Sequence, residues 1–125
     1  MTEENVDQFE KTQSQLAGLY TEIGLLSKKS PNDAVNKFKL KFINHSLSEA
    51  NELLGDEYKP YHDFELFEES DMPSTSDVTM MVQQYLNCLE KLRCDNLKYS
   101  GGSYYWIVDE ELSSIKTGHP IKFNR

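Results

Sequence analysis

The sequence predicts a mainly α-helical domain: a three-helix bundle with a long acidic-aromatic loop and a small C-terminal β-hairpin. Three observations carry that expectation. Apolar residues recur at steps of three and four in three separate stretches, each the mark of one helix face. Residues 55–73 lose that spacing but keep Tyr58, Tyr61, Phe64 and Phe67 among many acids. Residues 97–108 set Ser100-Gly101-Gly102-Ser103 beside the strand-forming run Tyr104-Tyr105-Trp106-Ile107-Val108. At 125 residues the chain can bury one real core and reads as a single domain, 1–125.

Helix one is predicted over residues 6–29. Phe9, Leu16 and Ile23 fall seven apart, and Leu19 and Leu26 follow Leu16 and Ile23 by three. This seam is heptad-like but interrupted by Thr12 and Gln13, so it either packs inward or joins a second copy through helix one. Lys28-Lys29 suits the negative end of the helix dipole. Helix two is predicted over residues 31–54. Ser30 would cap it, Pro31 fits its first position, Asp33 completes a capping box and Gly55 stops it. Leu40, Ile43, Leu47, Ala50 and Leu54 form its stripe, with Val35, Phe38 and Phe42 as a second row.

A structureless linker would not carry so many rings. Residues 55–73 are therefore read as an ordered loop, with one helical turn near 61–68. Helix three is predicted over residues 75–95, opened by Ser74 with a second capping-box pattern. Val78, Met81, Val82, Tyr85, Leu86, Leu89 and Leu92 make the cleanest stripe in the chain, so this helix should be central. In the hairpin, residues 97–108, Tyr104, Trp106 and Val108 share one face and Tyr105 and Ile107 the other. Residues 109–125 read as a short helix capped by Asp109, a turn at Gly118 and an extended tail. In that reading Ile121, Lys122 and Phe123 dock across the hairpin.

The net charge is −8, from 13 basic and 21 acidic residues. Such a chain is repelled by nucleic acid and by anionic membranes, and admits a basic protein partner. The charge is also unevenly spread. Residues 28–41 hold Lys28, Lys29, Lys37, Lys39 and Lys41 against Asp33 alone, while residues 49–77 hold ten acids against Lys59 alone. Cys88 and Cys94, six apart and so about 240° round a helix, point away from each other. That fits reduced thiols in a cytoplasm. No N-terminal apolar run reads as a signal peptide, and no stretch is long and apolar enough to span a membrane.

No GxGxxG, P-loop, GxSxG or HExxH pattern occurs. His45, His62 and His119 lie in different segments without ligand spacing, so neither metal nor cofactor is expected. Carboxylates are too abundant for a pair such as Glu68-Glu69 to indicate catalysis. The expectation is a non-enzymatic cytoplasmic interaction module, such as an inhibitor, an antitoxin-like protein or an adaptor. Its partner-binding residues would be Tyr58, Tyr61, Phe64, Phe67, Glu68, Glu69, Tyr105 and Trp106, facing a basic protein. Two alternatives stand beside it. One is a small enzyme whose site assembles from dispersed groups, such as His45 or His62 with loop carboxylates. The other is a nucleic-acid-associated protein using Lys37, Lys39 and Lys41.

Overall fold

Helix α1 spans Glu3–Lys29, α2 Lys37–Tyr58 and α3 Thr75–Asp95, with a 3-10 turn at Glu69–Asp71 before α3. Strands β1 (Leu97–Ser100), β2 (Ser103–Val108) and β3 (Glu111–Thr117) follow as an antiparallel sheet in that order. This computed structural model describes residues 1–121. The chain is mainly helical, and each of the three helices touches the other two.

Helix α1 starts three residues before Val6, because Thr2 and Asn5 cap it reciprocally. The Thr2 hydroxyl accepts from the Asn5 N–H, and the Asn5 side-chain oxygen accepts from the Thr2 N–H, both at 3.1 Å. Val6, Phe9, Leu16 and Ile23 are buried, so the heptad-like seam is spent inside the chain's own core. Thr12, at the gap in that seam, is buried too. Its hydroxyl donates to Glu49 at 3.3 Å, and Gln8 donates to both Thr12 (3.0 Å) and Glu49 (2.8 Å). The interruption is therefore a polar fastening between α1 and α2.

Helix α2 corrects the predicted start at residue 31. It begins at Lys37, capped by the Asn36 side chain, which accepts from the Lys39 N–H at 2.8 Å. The preceding residues are occupied elsewhere. The Thr75 N–H donates to the Asp33 carbonyl at 2.9 Å, the Ser76 N–H to that of Pro31 at 3.1 Å, and the Val35 N–H to that of Pro73 at 2.9 Å. The first turn of a helix leaves its N–H groups without partners. The connector supplies carbonyls to the first turn of α3, and so cannot itself be helix. Gly55 interrupts α2 at φ 59°, yet a last turn continues to Tyr58.

Helix α3 matches its predicted span, and Ser74 caps it by accepting from the Asp77 N–H at 3.2 Å. Val78, Val82, Tyr85, Leu89 and Leu92 are buried, while Met81 and Leu86 are half-buried at the margins. The predicted stripe is thus wider than the face that is covered.

The hairpin is the first part of a three-stranded sheet. Trp106 is fully buried, its ring edge-on to Phe9 at 5.1 Å. Leu97, opposite it, joins Val108 and Ile115 against the helical core. The short helix predicted after Asp109 is instead β3. Asp109 and Glu110 both have positive φ, 51° and 67°, and form the two-residue turn between the paired Val108 and Glu111. A register shift between Tyr105 and Ile107 is bridged by Ser113, whose hydroxyl donates to the Trp106 carbonyl at 2.6 Å. The predicted docking of Lys122 and Phe123 lies outside the described residues.

The last described residues are held by a buried ion pair. Arg93 and Glu90 meet at 2.7 Å (Nε–Oε1) and 2.8 Å (Nη2–Oε2). Arg93 also donates to Thr117 Oγ1 and the Gly118 carbonyl, each at 3.0 Å, and to the His119 carbonyl at 2.9 Å. Glu90 accepts from the Ile121 N–H at 2.8 Å and the Cys94 thiol at 3.3 Å. Both buried charges are therefore fully engaged.

Leu89→Ala should destabilise the chain by about 2–5 kcal/mol, and Leu86→Ala by roughly half that or less, in urea denaturation. Equal losses would mean the covered face of α3 is misassigned. A second expectation concerns pH. Burial pushes the Glu90 carboxyl up, but Arg93, the Ile121 N–H and the Cys94 thiol outweigh it and hold the group below its ordinary value of 4.5. A depressed folded pKa contributes stability above the unfolded value, and that stability is lost as pH falls through the folded value. Arg93→Met should reverse the sign, because the lone buried carboxyl then favours its proton. The variant should be about 3–5 kcal/mol weaker than the parent at pH 7. That deficit should shrink by pH 4, as read by paired urea melts.

Candidate functional site

The acidic-aromatic loop, residues 55–73, is fastened to the helices from beneath. Asn44 of α2 grips it twice: its side-chain N–H donates to the Phe67 carbonyl and its oxygen accepts from the Phe67 N–H, both at 3.0 Å. Asn51, two turns on, donates to the Glu65 carbonyl at 2.9 Å and accepts from the Tyr85 hydroxyl at 2.6 Å. Residues 44 and 51, seven apart, lie on one side of α2 and so act on the same strip of loop. Two rings complete the attachment, Phe64 in the loop and Tyr58 in the last turn of α2. Phe64 sits edge-on to Phe67 at 5.0 Å and to Tyr85 at 6.3 Å. The Tyr58 hydroxyl donates to Asp95 at 2.7 Å. That bond, with burial, pushes the Tyr58 phenol up to about 12. The same bond, with one from Lys91, holds the Asp95 carboxyl below its usual range against the opposing effect of burial. Burial pushes the Tyr85 phenol up to about 12 as well, against the bond it donates to Asn51.

Above this attachment the loop is bare. Tyr61, Leu66 and Met72 are 42%, 45% and 69% exposed. Met72 follows the 3-10 turn directly and has a left-handed backbone, φ 49°. Around these side chains lie seven acids. Glu65 pairs with Lys59 at 3.0 Å and Glu69 with Lys37 at 3.3 Å. Asp56, Glu57, Asp63, Glu68 and Asp71 make no ion pair among the described residues. The loop therefore presents uncompensated negative charge with apolar tips between.

The sequence-predicted contact residues divide accordingly. Tyr61, Glu68 and Glu69 are exposed on the loop. Tyr58, Phe64 and Phe67 are half-buried and spend their rings on the scaffold. Tyr105 is half-buried on the outer face of the sheet, in register with Lys98 and Lys116. Trp106 is a correction: it lies in the core against Phe9 and offers nothing to a partner. Leu66 and Met72 were missed, since single apolar residues outside any periodic pattern give no signal. The predicted helical turn near 61–68 is displaced to Glu69–Asp71.

The other predicted groups are also placed. His45 meets Glu49 at 3.3 Å on the outer side of α2. It borders a cavity of about 430 Å³ between α1 and α2, lined also by Ser14, Gly18, Leu19, Phe42 and Ser46. His62 is exposed, and His119 stacks edge-on to Tyr104 at 5.2 Å. Lys37 faces Glu69, Lys39 faces Glu22, and Lys41 lies 5.8 Å over the Phe42 ring. Among the described residues no three His, Cys, Asp or Glu groups gather as a metal set, and no helix is long and apolar enough to cross a membrane.

No protein-family model matches this chain, and comparison with curated proteins and with solved structures gives no match either.

Asn44→Ala should destabilise the protein by about 1–3 kcal/mol, because two backbone groups of Phe67 lose their partners. Hydrogen exchange at the Phe67 amide should accelerate well beyond that global loss. Exchange at Phe67 that merely follows global stability would show that the loop does not depend on this grip.

Proposed function

We propose that this chain is a non-enzymatic protein-interaction module, of the inhibitor, antitoxin-like or adaptor kind. In this reading a three-helix bundle serves as scaffold and the acidic loop meets a basic protein surface. The observation that carries it is the division of the loop into a fastened underside and a bare, negative upper side. An ordered loop loses little conformational entropy on binding, so its contacts go further toward affinity. Uncompensated acids steer encounter with a cationic surface, and Tyr61, Leu66 and Met72 are the apolar anchors that desolvate on contact. We further propose a cytoplasmic location, because Cys88 and Cys94, six apart on α3, point away from each other in the manner of reduced thiols.

The test is capture of cross-linked partners by the parent and by a Tyr61→Ala/Leu66→Ala/Met72→Ala variant with matching circular dichroism. Loss of three anchors should weaken association by about 30-fold or more. The association rate in the parent should fall steeply as salt is raised. Identical partner lists from the two folded proteins would remove the reading.

A further inference from the structure

A second surface differs in charge from the loop. Phe38 and Phe42 lie one turn apart on α2, 72% and 45% exposed, their rings stacked edge-on at 5.0 Å. Leu25 and Leu26 of α1 are exposed as well. A pair of large rings in contact and open to water, like Phe38 and Phe42, marks an interaction surface more often than apolar residues scattered singly. The 430 Å³ cavity between α1 and α2 opens beside Phe42 and Leu19. Lys28, Lys29 and Lys41 are exposed on the same two helices and make no ion pair among the described residues. The Glu22 carboxylate next to Phe42 is already paired with Lys39, so on a chain of net charge −8 the open side of α1 and α2 carries three unpaired lysines beside the two rings' helix.

Its complement is on the same molecule. The loop and the last turn of α2 before it offer Asp56, Glu57, Asp63, Glu68 and Asp71 with Tyr61, Leu66 and Met72 between them. The two surfaces adjoin, because the exposed Lys37–Glu69 pair at 3.3 Å straddles their boundary. A positive apolar patch beside a negative apolar patch becomes self-complementary when one copy is turned by a twofold rotation. Two chains of like net charge repel at long range, but that field is screened beyond about 8 Å at physiological ionic strength. Local pattern then decides the contact.

We propose that the basic surface met by the loop is that of a second copy of this chain. In a twofold dimer each acidic loop covers the other copy's Phe38–Phe42 face, and the apolar tips Tyr61, Leu66 and Met72 meet the stacked rings. This proposal rests on the loop reading above and names the partner.

Sedimentation equilibrium from about 1 to 100 μM tests it, as does light scattering after size-exclusion chromatography. The parent should pass from monomer to dimer within a range typical of modest interfaces. Phe38→Ser/Phe42→Ser changes only exposed positions, so circular dichroism should be unaltered while the dimer weakens by about 30-fold or more. Lys29→Glu/Lys41→Glu and Glu68→Lys/Asp71→Lys should each weaken it, and the chain carrying all four changes should regain it. A parent that stays monomeric throughout overturns the self-docking but leaves the loop reading to the partner-capture experiment. A dimer weakened by the face variants but indifferent to the loop variant overturns this docking and counts against the loop reading as well. A dimer indifferent to every variant uses another surface, which also overturns the proposal.

Discussion

Burial of the α3 face that holds Val78, Val82, Tyr85 and Leu89 is the constraint from which the rest of the architecture follows. All four side chains are fully excluded from solvent, whereas Phe38, Met72 and several leucines elsewhere are left exposed. The face must therefore be covered completely by a few neighbours. Helices α1 and α2 supply Leu16, Ile23, Ile43 and Leu47, and the loop supplies Phe64 against Tyr85. The sheet reaches the same core through Trp106 on Phe9. No piece is placed by its own propensity alone. The loop is ordered because Tyr85 and Asn51 already stand where it must pass.

Two sets of polar groups drawn into this core are satisfied together, while the buried Trp106 indole N–H has no hydrogen-bond partner. Gln8, Thr12 and Glu49 form one set between α1 and α2, and Glu90 and Arg93 form another beneath residues 117–121. Each set replaces contacts that an apolar pair would make without direction. Hydrogen bonds fix orientation where hydrophobic contact does not. The Arg93 guanidinium in particular gives the strand-to-tail segment one position, since its donors point at three successive residues.

Helix α3 was legible because its cap, its stripe and its end agree. Helix α2 was misread at its start because Ser30-Pro31-Asn32-Asp33 is locally a sound helix opening. What defeats it is non-local: Thr75 and Ser76 take the carbonyls of Asp33 and Pro31, forty and more residues away. Strand β3 was hidden for the opposite reason. Its turn, Asp109-Glu110, holds two positive φ values with no glycine, and its one usual turn former, Asp109, reads equally well as a helix cap. The loop's acids and rings were visible in composition. Which ring faces inward was not, because that depends on Asn44, Asn51, Tyr85 and Asp95 lying beneath particular residues.

Trp106 is the sole tryptophan, and it sits where the sheet meets α1. The molecule thus carries one intrinsic optical reporter at the junction of its two kinds of secondary structure. Light absorbed by that indole is re-emitted from a dry environment only while strand and helix stay docked. A spectrum that reddens before ellipticity falls would distinguish a detached sheet from a melted helix without any label.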